Sequence, residues 1–401
     1  MVQMRASLVA TSVCLAISFG LFASEKVAGT FPGKVPATFF GKRQGMPVAV
    51  VALPDGAIQP QAVVDANDVV HMVFFTGKPA GGDVYYVTLA ADGRRLSVPV
   101  RVNSIEGSAL ATGSVRGAQV SLGRNGFIHV AWHGSKPLVD GTGTDVPMWY
   151  ARSADGKRFE PQRPLSGHAK GLDGGSVAAD HLGHVAVVWH AMGAEPGENH
   201  RTVYIAKSSD DGATFSAEAP ATSAPVGACG CCGMRAMFDR NGALHVLYRV
   251  ATDEKRRDTA WLMIQGATAR PPVRVHPWEI QSCPMSTYAL AETSDGIVAA
   301  WETAQQIYFT VLNTKSGSVG PVAAMPGNGS RKHPSVAVNA TGQRLVAWTE
   351  GTAWNRGGTA SWRLTDRNGS EIGVSHDAGP VPVWGLVSAV ALHDGSFIVF
   401  R

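Results

Sequence analysis

The sequence predicts an all-β protein folded as a β-propeller of four-stranded blades. A hairpin pattern, in which apolar and polar residues alternate on both sides of a turn, recurs seven times. Each copy ends on an aromatic residue, and a second, looser hairpin lies between successive copies. The aromatic residues stand 47 to 59 positions apart, at Phe74, Trp132, Trp189, Tyr248, Trp301, Trp348 and Phe400. Two hairpins in a period of about 50 residues is typical of a propeller blade.

The clearest first hairpin is QVSLGRNGFIHVAW, which ends at Trp132 and turns at Asn125 and Gly126. Asn-Gly between two alternating runs is a strong hairpin signal. MWYARSADGKRFEPQRPL, which begins at Met148, is an example of the second hairpin. These two hairpins together supply the strands of one predicted blade.

The number of blades follows from the chain ends. Seven first hairpins are visible, but only six second hairpins follow them. Residues 36–53 are strand-like and precede the first aromatic residue. We expect them to supply the outer strands of the last blade, which would remove its open edge. Seven blades over residues 37–401 is therefore the preferred prediction, and six blades with an irregular segment is the second.

The N-terminal segment has the pattern of an export signal. Arg5 supplies a positive charge, and residues 8–23 form an uncharged apolar run. The sequence therefore predicts a signal peptide over residues 1–24 and a periplasmic or secreted protein. Its removal would take away Cys14 and leave four cysteines in a compartment that permits disulfides.

Charge and hydropathy restrict the classes of partner. The formal net charge is only +4, charged residues make up 16% of the chain, and they form no basic run. Nucleic-acid binding is therefore not expected. No later stretch is apolar enough to span a bilayer, so we expect no membrane association after signal removal. A metal ion or a small ligand is the expected partner, and the oligomeric state is left open.

One motif resembles a known family. Residues 208–215, SSDDGATF, match the pattern S-x-D-x-G-x-T-F, and SADGKRFE from Ser153 is a degenerate second copy. This pattern is the Asp-box, so the chain resembles the sialidase-like (BNR/Asp-box repeat) β-propellers. The resemblance implies that the box is a structural turn between the third and fourth strands of a blade.

The resemblance also implies an activity, which the sequence supports less. Sialidases hold a substrate carboxylate with three arginines and use a tyrosine nucleophile with a nearby glutamate and an aspartate acid. The family motif F/Y-R-I-P, which carries the first arginine, does not occur here. The residues that could be recruited are Arg116, Arg235, Arg249, Tyr288 and Glu302. We expect the three arginines not to converge, so an exo-glycosidase of sialidase type is an alternative and catalysis is left open.

The most distinctive chemistry lies in the cysteines. Residues 228–235 read ACGCCGMR and contain Cys229, Cys231 and Cys232, while Cys283 lies in QSCPMS. Cys229 and Cys283 stand 19 and 18 positions before the aromatic residues of successive blades. The spacing therefore predicts that all four thiols meet at one mouth of the channel.

Soft thiolates suit Cu(I) or Zn(II), which predicts a metal-binding or redox-linked site rather than catalysis. Two structural disulfides are the competing interpretation, within a propeller that binds another protein. A disulfide between the adjacent Cys231 and Cys232 would be strained, which favours the ligand interpretation.

Other residues are expected on the same face. His133, His190, Arg249 and Glu302 follow the aromatic residues directly, at the end where the second strand returns to the mouth. The connections after the two histidines are long and glycine-rich, which is typical of binding loops. Together with Arg235 and Tyr288 they form the predicted ligand-binding face.

Overall fold

The computed structural model describes residues 39–40, 47–90, 95–113, 116–135, 146–167, 171–193, 195–222, 226–253 and 255–401. The predicted signal peptide and most of the connection after His133 lie outside these residues. Within the described residues, no helix is long and apolar enough to cross a membrane.

The described residues form seven sheets arranged as blades, and all strand pairs are antiparallel except one in the seventh blade. The described residues begin with two short strands, β1 (Phe39–Phe40) and β2 (Val48–Val51). The first blade holds β3 (Ile58–Val64), β4 (Val70–Lys78), β5 (Gly81–Leu89) and β6 (Val100–Arg101). The second holds β7 (Gln119–Leu122), β8 (Ile128–His133), β9 (Met148–Ser153) and β10 (Arg163–Pro164). The third holds β11 (Asp173–Ala179), β12 (Val185–Ala191), β13 (Thr202–Ser208) and β14 (Ala219–Pro220).

In the next three blades, two short strands share the outer edge of the third strand. The fourth blade holds β15 (Arg235–Phe238), β16 (Ala243–Arg249), β17 (Thr259–Gln265), β18 (Thr268–Ala269) and β19 (Val273–His276). The fifth holds β20 (Tyr288–Thr293), β21 (Gly296–Thr303), β22 (Gln306–Asn313), β23 (Ser318–Val319) and β24 (Ala323–Ala324). The sixth holds β25 (Arg331–Val338), β26 (Arg344–Glu350), β27 (Gly358–Thr365), β28 (Glu371–Ser375) and β29 (Pro380–Val381). Short 3-10 turns occur at Arg124–Gly126 and Glu198–His200.

The seventh blade joins the two ends of the chain, as predicted. Its inner strands are β30 (Ser388–Ala391) and β31 (Phe397–Phe400), and β2 adds to β31 in parallel register, with Val48 opposite Phe397. β1 then pairs with β2 at the outside. Seven blades with four strand positions each, the outermost divided into two short strands in three of them, confirm the predicted all-β propeller, and the alternative of six blades is wrong.

The aromatic residues that marked the repeats are core residues, and five of them lie in apolar clusters shared by neighbouring blades: Trp132, Trp189, Tyr248, Trp301 and Trp348. All seven lie in the second strand of their hairpin and are at most 2% exposed. Serines on the inner strands tie neighbouring blades together. Ser176 accepts a hydrogen bond from the amide of Ala236, and Ser388 accepts one from Ala62, which joins the last blade to the first. Residues from all seven inner strands or the loops that precede them line a central cavity of about 30 Å³.

The Asp-box segment has the geometry that the resemblance implied. It connects β13 and β14, the third and fourth strands of the third blade. The Ser208 hydroxyl accepts hydrogen bonds from the amides of Asp210 and Gly212, and the Asp210 carboxylate accepts two from Thr214. Gly212 has a φ of +72°, and a Cβ there would collide with the Tyr150 hydroxyl. The segment is therefore a structural turn packed against the preceding blade.

Candidate metal centre

The cysteine loop, residues 228–233, runs from the third blade to the inner strand of the fourth. The amide of Cys229 donates to the carbonyl of Arg249 at 3.0 Å, and the amide of Cys232 donates back to the carbonyl of Cys229. The amide of Gly233 donates to the carbonyl of Ser286 in the fifth blade. The loop is thus a tight turn fixed to two blades at the end where the inner strands begin.

Three sulfurs converge in this turn. The Sγ of Cys229 lies 3.4 Å from that of Cys231 and 3.2 Å from that of Cys232. All three sulfurs lie within 4.8 Å of one another, and no fourth Cys, His, Asp or Glu ligand atom of the described residues joins the group. Cys229 and Cys232 are buried and Cys231 is half-buried, and none of these cysteines is in a disulfide. The geometry can hold one ion between three soft ligands.

His190 supports the loop from the third blade. Its Nε2 donates to the carbonyl of Cys232 at 2.9 Å, while its Nδ1 accepts from Arg201 at 3.0 Å. The side chain is 2% exposed, so burial, together with the charge of Arg201, lowers the pKa of His190 to about 4. The imidazole is therefore neutral and holds the backbone of a cysteine rather than pointing to solvent.

Glu198 supports the other end of the loop. It lies in the 3-10 turn of the connection between β12 and β13, and its carboxylate accepts from the amide of Gly230 at 2.7 Å. Its carbonyl accepts from the amide of Ala228, and Arg257 holds the second carboxylate oxygen at 2.7 Å. Side chains from the third and fourth blades therefore fix the loop on both sides.

Two buried guanidinium groups flank the sulfurs without a carboxylate acceptor. Arg249 is 1% exposed and donates to the carbonyls of Arg257 and Glu302 and to the Ser286 hydroxyl. Arg201 is 7% exposed and donates to the carbonyl of Gly171 and to His190. No carboxylate of the described residues accepts a hydrogen bond from either group. Carboxylates act on these two charges only without a direct hydrogen bond, and the sulfurs interact with both guanidinium groups electrostatically. The buried positive charge therefore favours negative charge at the sulfurs.

The environment gives the thiols of Cys231 and Cys232 very different pKa values. Burial opposes ionisation of Cys232, but contacts with the sulfurs of Cys229 and Cys231 and the charge of Arg249 outweigh it. The pKa of Cys232 is therefore well below that of an ordinary thiol. The same sulfur contacts raise the pKa of Cys231 far above that range.

Cys283 occupies a different position. It is exposed and lies outside the three-sulfur group. It does line, with Cys229, an open cavity of about 760 Å³ whose walls include Glu198, Asp253 and Arg257. The prediction that all four thiols meet is therefore wrong for Cys283, which shares a cavity with Cys229 but does not join the three sulfurs.

The other predicted residues are held by separate partners. His133 is buried, and its Nε2 lies 3.0 Å from the carbonyl of Leu172. Both oxygens of Glu302 are occupied, since one accepts from Ser286 at 2.6 Å and the other from the amide of Gln305. Tyr288 is buried, with the guanidinium of Arg249 above its ring.

The three candidate arginines have no hydrogen-bond acceptor in common among the described residues. Arg116 pairs with Asp173 at 2.6 Å, and Arg235 reaches across the channel to Gln61 and Gln119. Arg249 is held by the groups named above. Each guanidinium is thus already engaged by its own part of the ring, which gives no support to a three-arginine carboxylate site.

Sequence reasoning missed the residues that hold the loop, namely Glu198, Arg201, Arg257 and Ser286. Their types are ordinary and they stand in no motif. The one available signal was the length of the connection between β12 and β13, because long loops on a rigid scaffold tend to carry function. The contact of Glu198 with Gly230 spans 32 residues and crosses between blades.

Comparisons with known proteins agree on the fold and extend no further. No protein-family model and no curated protein matches the chain. A leech intramolecular trans-sialidase, solved with 2,7-anhydro-Neu5Ac, is similar with a TM-score of 0.53 and 9% identity, over 73% of this chain and 65% of that one. A Dyadobacter fermentans protein of unknown function is similar with a TM-score of 0.52 and 14% identity, over 79% of this chain and 92% of that one. A Penicillium chrysogenum α-L-arabinanase, solved with arabinobiose, is similar with a TM-score of 0.50 and 13% identity, over 84% of this chain and 99% of that one.

The chain shares the propeller fold of these proteins. Sequence identities this low show a shared fold and no shared activity, because one fold hosts many unrelated activities. The resemblance to sialidase-like propellers is confirmed at that level, and the function must be argued from the site.

Proposed function

We propose that this protein is an exported propeller that binds one soft metal ion, Cu(I) in preference to Zn(II), through Cys229, Cys231 and Cys232. The observation that carries the proposal is the convergence of three sulfurs within 4.8 Å in a loop fixed from three blades. Thiolates are soft ligands and select Cu(I) among the common biological ions. The export part of the proposal rests on the N-terminal sequence pattern.

The coordination number supports Cu(I) over Zn(II). Structural zinc sites are almost always four-coordinate and tetrahedral. The described residues offer three ligand atoms here, and the two side chains of ligand type that contact the loop, His190 and Glu198, use both of their polar atoms elsewhere. Three thiolates suit a trigonal monovalent ion without a fourth protein ligand.

The charge around the site supports a metal–thiolate complex. Cu(I) with three thiolates carries a net charge of −2. Arg201 and Arg249 are buried beside the sulfurs and lack carboxylate acceptors, so they are placed to compensate that charge. The centre is therefore a binding or storage site for the ion, and no reaction on an organic substrate is required.

The test is an anaerobic titration of the reduced protein, without its leader, with Cu(I) in competition with bathocuproine disulfonate. We expect one Cu(I) per chain, bound much more tightly than Zn(II). Cys231→Ser and Cys232→Ser should each lose this binding, whereas Cys283→Ser, the matched control, should keep the stoichiometry of one. A parent protein that takes no Cu(I) would overturn the proposal, as would equal losses in all three variants, since Cys283 would then be a fourth ligand.

A further inference from the structure

A second cavity of about 370 Å³ opens beside the cysteine loop, between the fifth, sixth and seventh blades. This cavity, which we call the rim cavity, is open because one loop of the fifth blade is short. The connection between β21 and β22 is only Ala304 and Gln305, whereas β12 and β13 are joined by ten residues. The short turn leaves the ends of the neighbouring loops exposed to one another. The size is within the range of small-ligand pockets.

Aromatic side chains form one wall of this rim cavity. Trp354 and Trp384 meet edge to face with ring centroids 5.9 Å apart. Trp354 is 45% exposed, yet its indole rests on Gly113 from across the mouth, where a Cβ would approach it to 3.2 Å. A third indole, Trp278, also lines the cavity. This corner fits a flat ring, which can stack on one indole and meet the edge of the other.

The accessible charge of the lining is positive. Glu302 is buried and both of its oxygens already accept hydrogen bonds. Lys332 donates to the carbonyl of Pro284 and keeps its charge at the wall. Arg356 is exposed, and among the described residues only its Nε has a side-chain hydrogen bond, which it donates to the carbonyl of Gly351. Its terminal nitrogens are thus placed to bind a carboxylate in a bidentate way.

Most other polar groups of the lining are engaged with the protein. Ser330 donates to the side chain of Gln305, and Thr352 bonds to Thr349. His333 is buried, with its Nδ1 facing Thr287. A sugar, whose hydroxyls each need a partner, would find few groups available here. A ligand with one anionic group and an apolar ring fits better.

Ala304 and Gln305 form the whole turn between β21 and β22, with φ angles of +52° and +62°. Positive φ at both positions is typical of a tight two-residue hairpin turn, so this low connection is well defined. Trp384 has a φ of +58°, and its Nε1 is buried with no hydrogen-bond partner among the described residues. A left-handed conformation is unfavourable for a residue with a Cβ, so the surrounding structure must hold Trp384 in place.

We propose that the rim cavity binds a small planar aromatic carboxylate. The ring lies against Trp354 and Trp384, and the carboxylate binds Arg356, with Lys332 adding positive charge. This site is independent of metal binding by the cysteine loop, so either proposal can fail without the other.

The experiment uses 2-naphthoate as the probe, with binding followed by quenching of tryptophan fluorescence. Its controls are the neutral 2-naphthylmethanol and the sugar acid glucuronate. We expect 2-naphthoate to bind at least tenfold more tightly than either control compound. Trp354→Ala should weaken binding at least tenfold by removing the stacking surface, and Arg356→Gln should do so by removing the carboxylate partner.

Arg367→Gln is the matched control, because Arg367 is an exposed arginine paired with Asp295 outside this cavity. It should leave 2-naphthoate affinity unchanged, and melting temperatures should show that all variants are folded. Binding of glucuronate as tight as that of 2-naphthoate would overturn the aromatic assignment. Unchanged affinity in Trp354→Ala or Arg356→Gln would overturn the site.

Discussion

At the residue scale, His190 links the third blade to the metal centre through one hydrogen bond. Its Nε2 donates to the carbonyl of Cys232, and this bond orients a sulfur-bearing residue without touching the ion. Supports of this kind typically change metal affinity 10- to 100-fold when they are removed. His190 is therefore a positioning residue in the proposed site.

We predict that His190→Phe weakens Cu(I) binding at least tenfold, because the carbonyl of Cys232 loses its donor. His190→Gln places an amide donor near the same position and should stay within about threefold of the parent. Competition titrations of the two variants measure the difference. Equal affinities in His190→Phe and the parent would show that this bond does not shape the site.

His129 gives a prediction about acid stability, far from the metal. It is fully buried on β8, its Nδ1 bonds to the Tyr150 hydroxyl, and its charged neighbours are Asp211 and Arg152. Burial lowers its pKa to about 4, so the unfolded chain binds a proton there that the folded chain does not. Stability is thus fully present above the unfolded pKa of about 6.5 and falls as the pH drops toward 4.

The expected loss at His129 over that interval is about 3 kcal/mol. His129→Gln should be less stable than the parent at pH 7 but should lose correspondingly less between pH 7 and 4. Denaturant unfolding at both pH values measures this, with the exposed His184→Gln as the control. A parent and a variant with the same pH dependence would contradict the assignment of the effect to His129.

At the element scale, the turn at residues 208–215 illustrates what a local motif can reveal. The box residues bond to one another, so their geometry follows from the sequence alone: Ser208 to Gly212 and Asp210 to Thr214. Hydrogen bonds from the backbone and side chain of Thr214 also hold the pKa of Asp210 far below its usual range. The turn lies outside the cysteine loop and the rim cavity.

We therefore predict that Ser208→Ala lowers the free energy of unfolding by about 1–2 kcal/mol, since the amides of Asp210 and Gly212 lose their acceptor. Cu(I) affinity should not change. Ser216→Ala, in the same turn region but outside the box, is the matched control and should have a smaller effect. A Ser208→Ala variant as stable as the parent would show that the box adds nothing to stability.

The cysteine loop shows the limit of the same reasoning. The spacing of three cysteines in four residues predicted a sulfur cluster, because residues that close in sequence must be close in space. The position of that cluster depends on Glu198, His190 and Arg249, which lie outside the loop and hydrogen-bond to its backbone. Cys283 keeps the equivalent sequence position, but it is exposed and lies outside the three-sulfur group, although it lines a cavity with Cys229. The spacing of the sequence repeats predicts on which face of the propeller a loop lies. Side-chain contacts between blades decide which thiols meet there.

At the scale of the whole molecule, the ring is closed by the two ends of the chain. β2 pairs in parallel with β31 and buries Val48 and Val51, so the last blade has no open inner edge. The sequence predicted this closure from a count of hairpins, because a blade that lacked its outer strands would leave an edge exposed.

Deletion of residues 1–53 removes β1 and β2 and should destabilise the propeller by at least about 3 kcal/mol, through lost burial of two valines and their strand pairing. The exposed edge of β31 should also promote aggregation. Deletion of residues 1–24 alone is the control and should leave the melting temperature unchanged. Thermal melting with light scattering measures both effects. A truncated protein that melts like the control would contradict closure by the N-terminal strands.

The central claim is that Cys229, Cys231 and Cys232 together bind one soft ion. X-ray absorption at the copper edge of the Cu(I)-loaded protein tests it most directly, because it counts the ligand atoms around the ion. We expect a single shell of three sulfurs with no nitrogen or oxygen, and the loss of that shell in Cys232→Ser. A shell with nitrogen or oxygen ligands, or with four sulfurs, would contradict it.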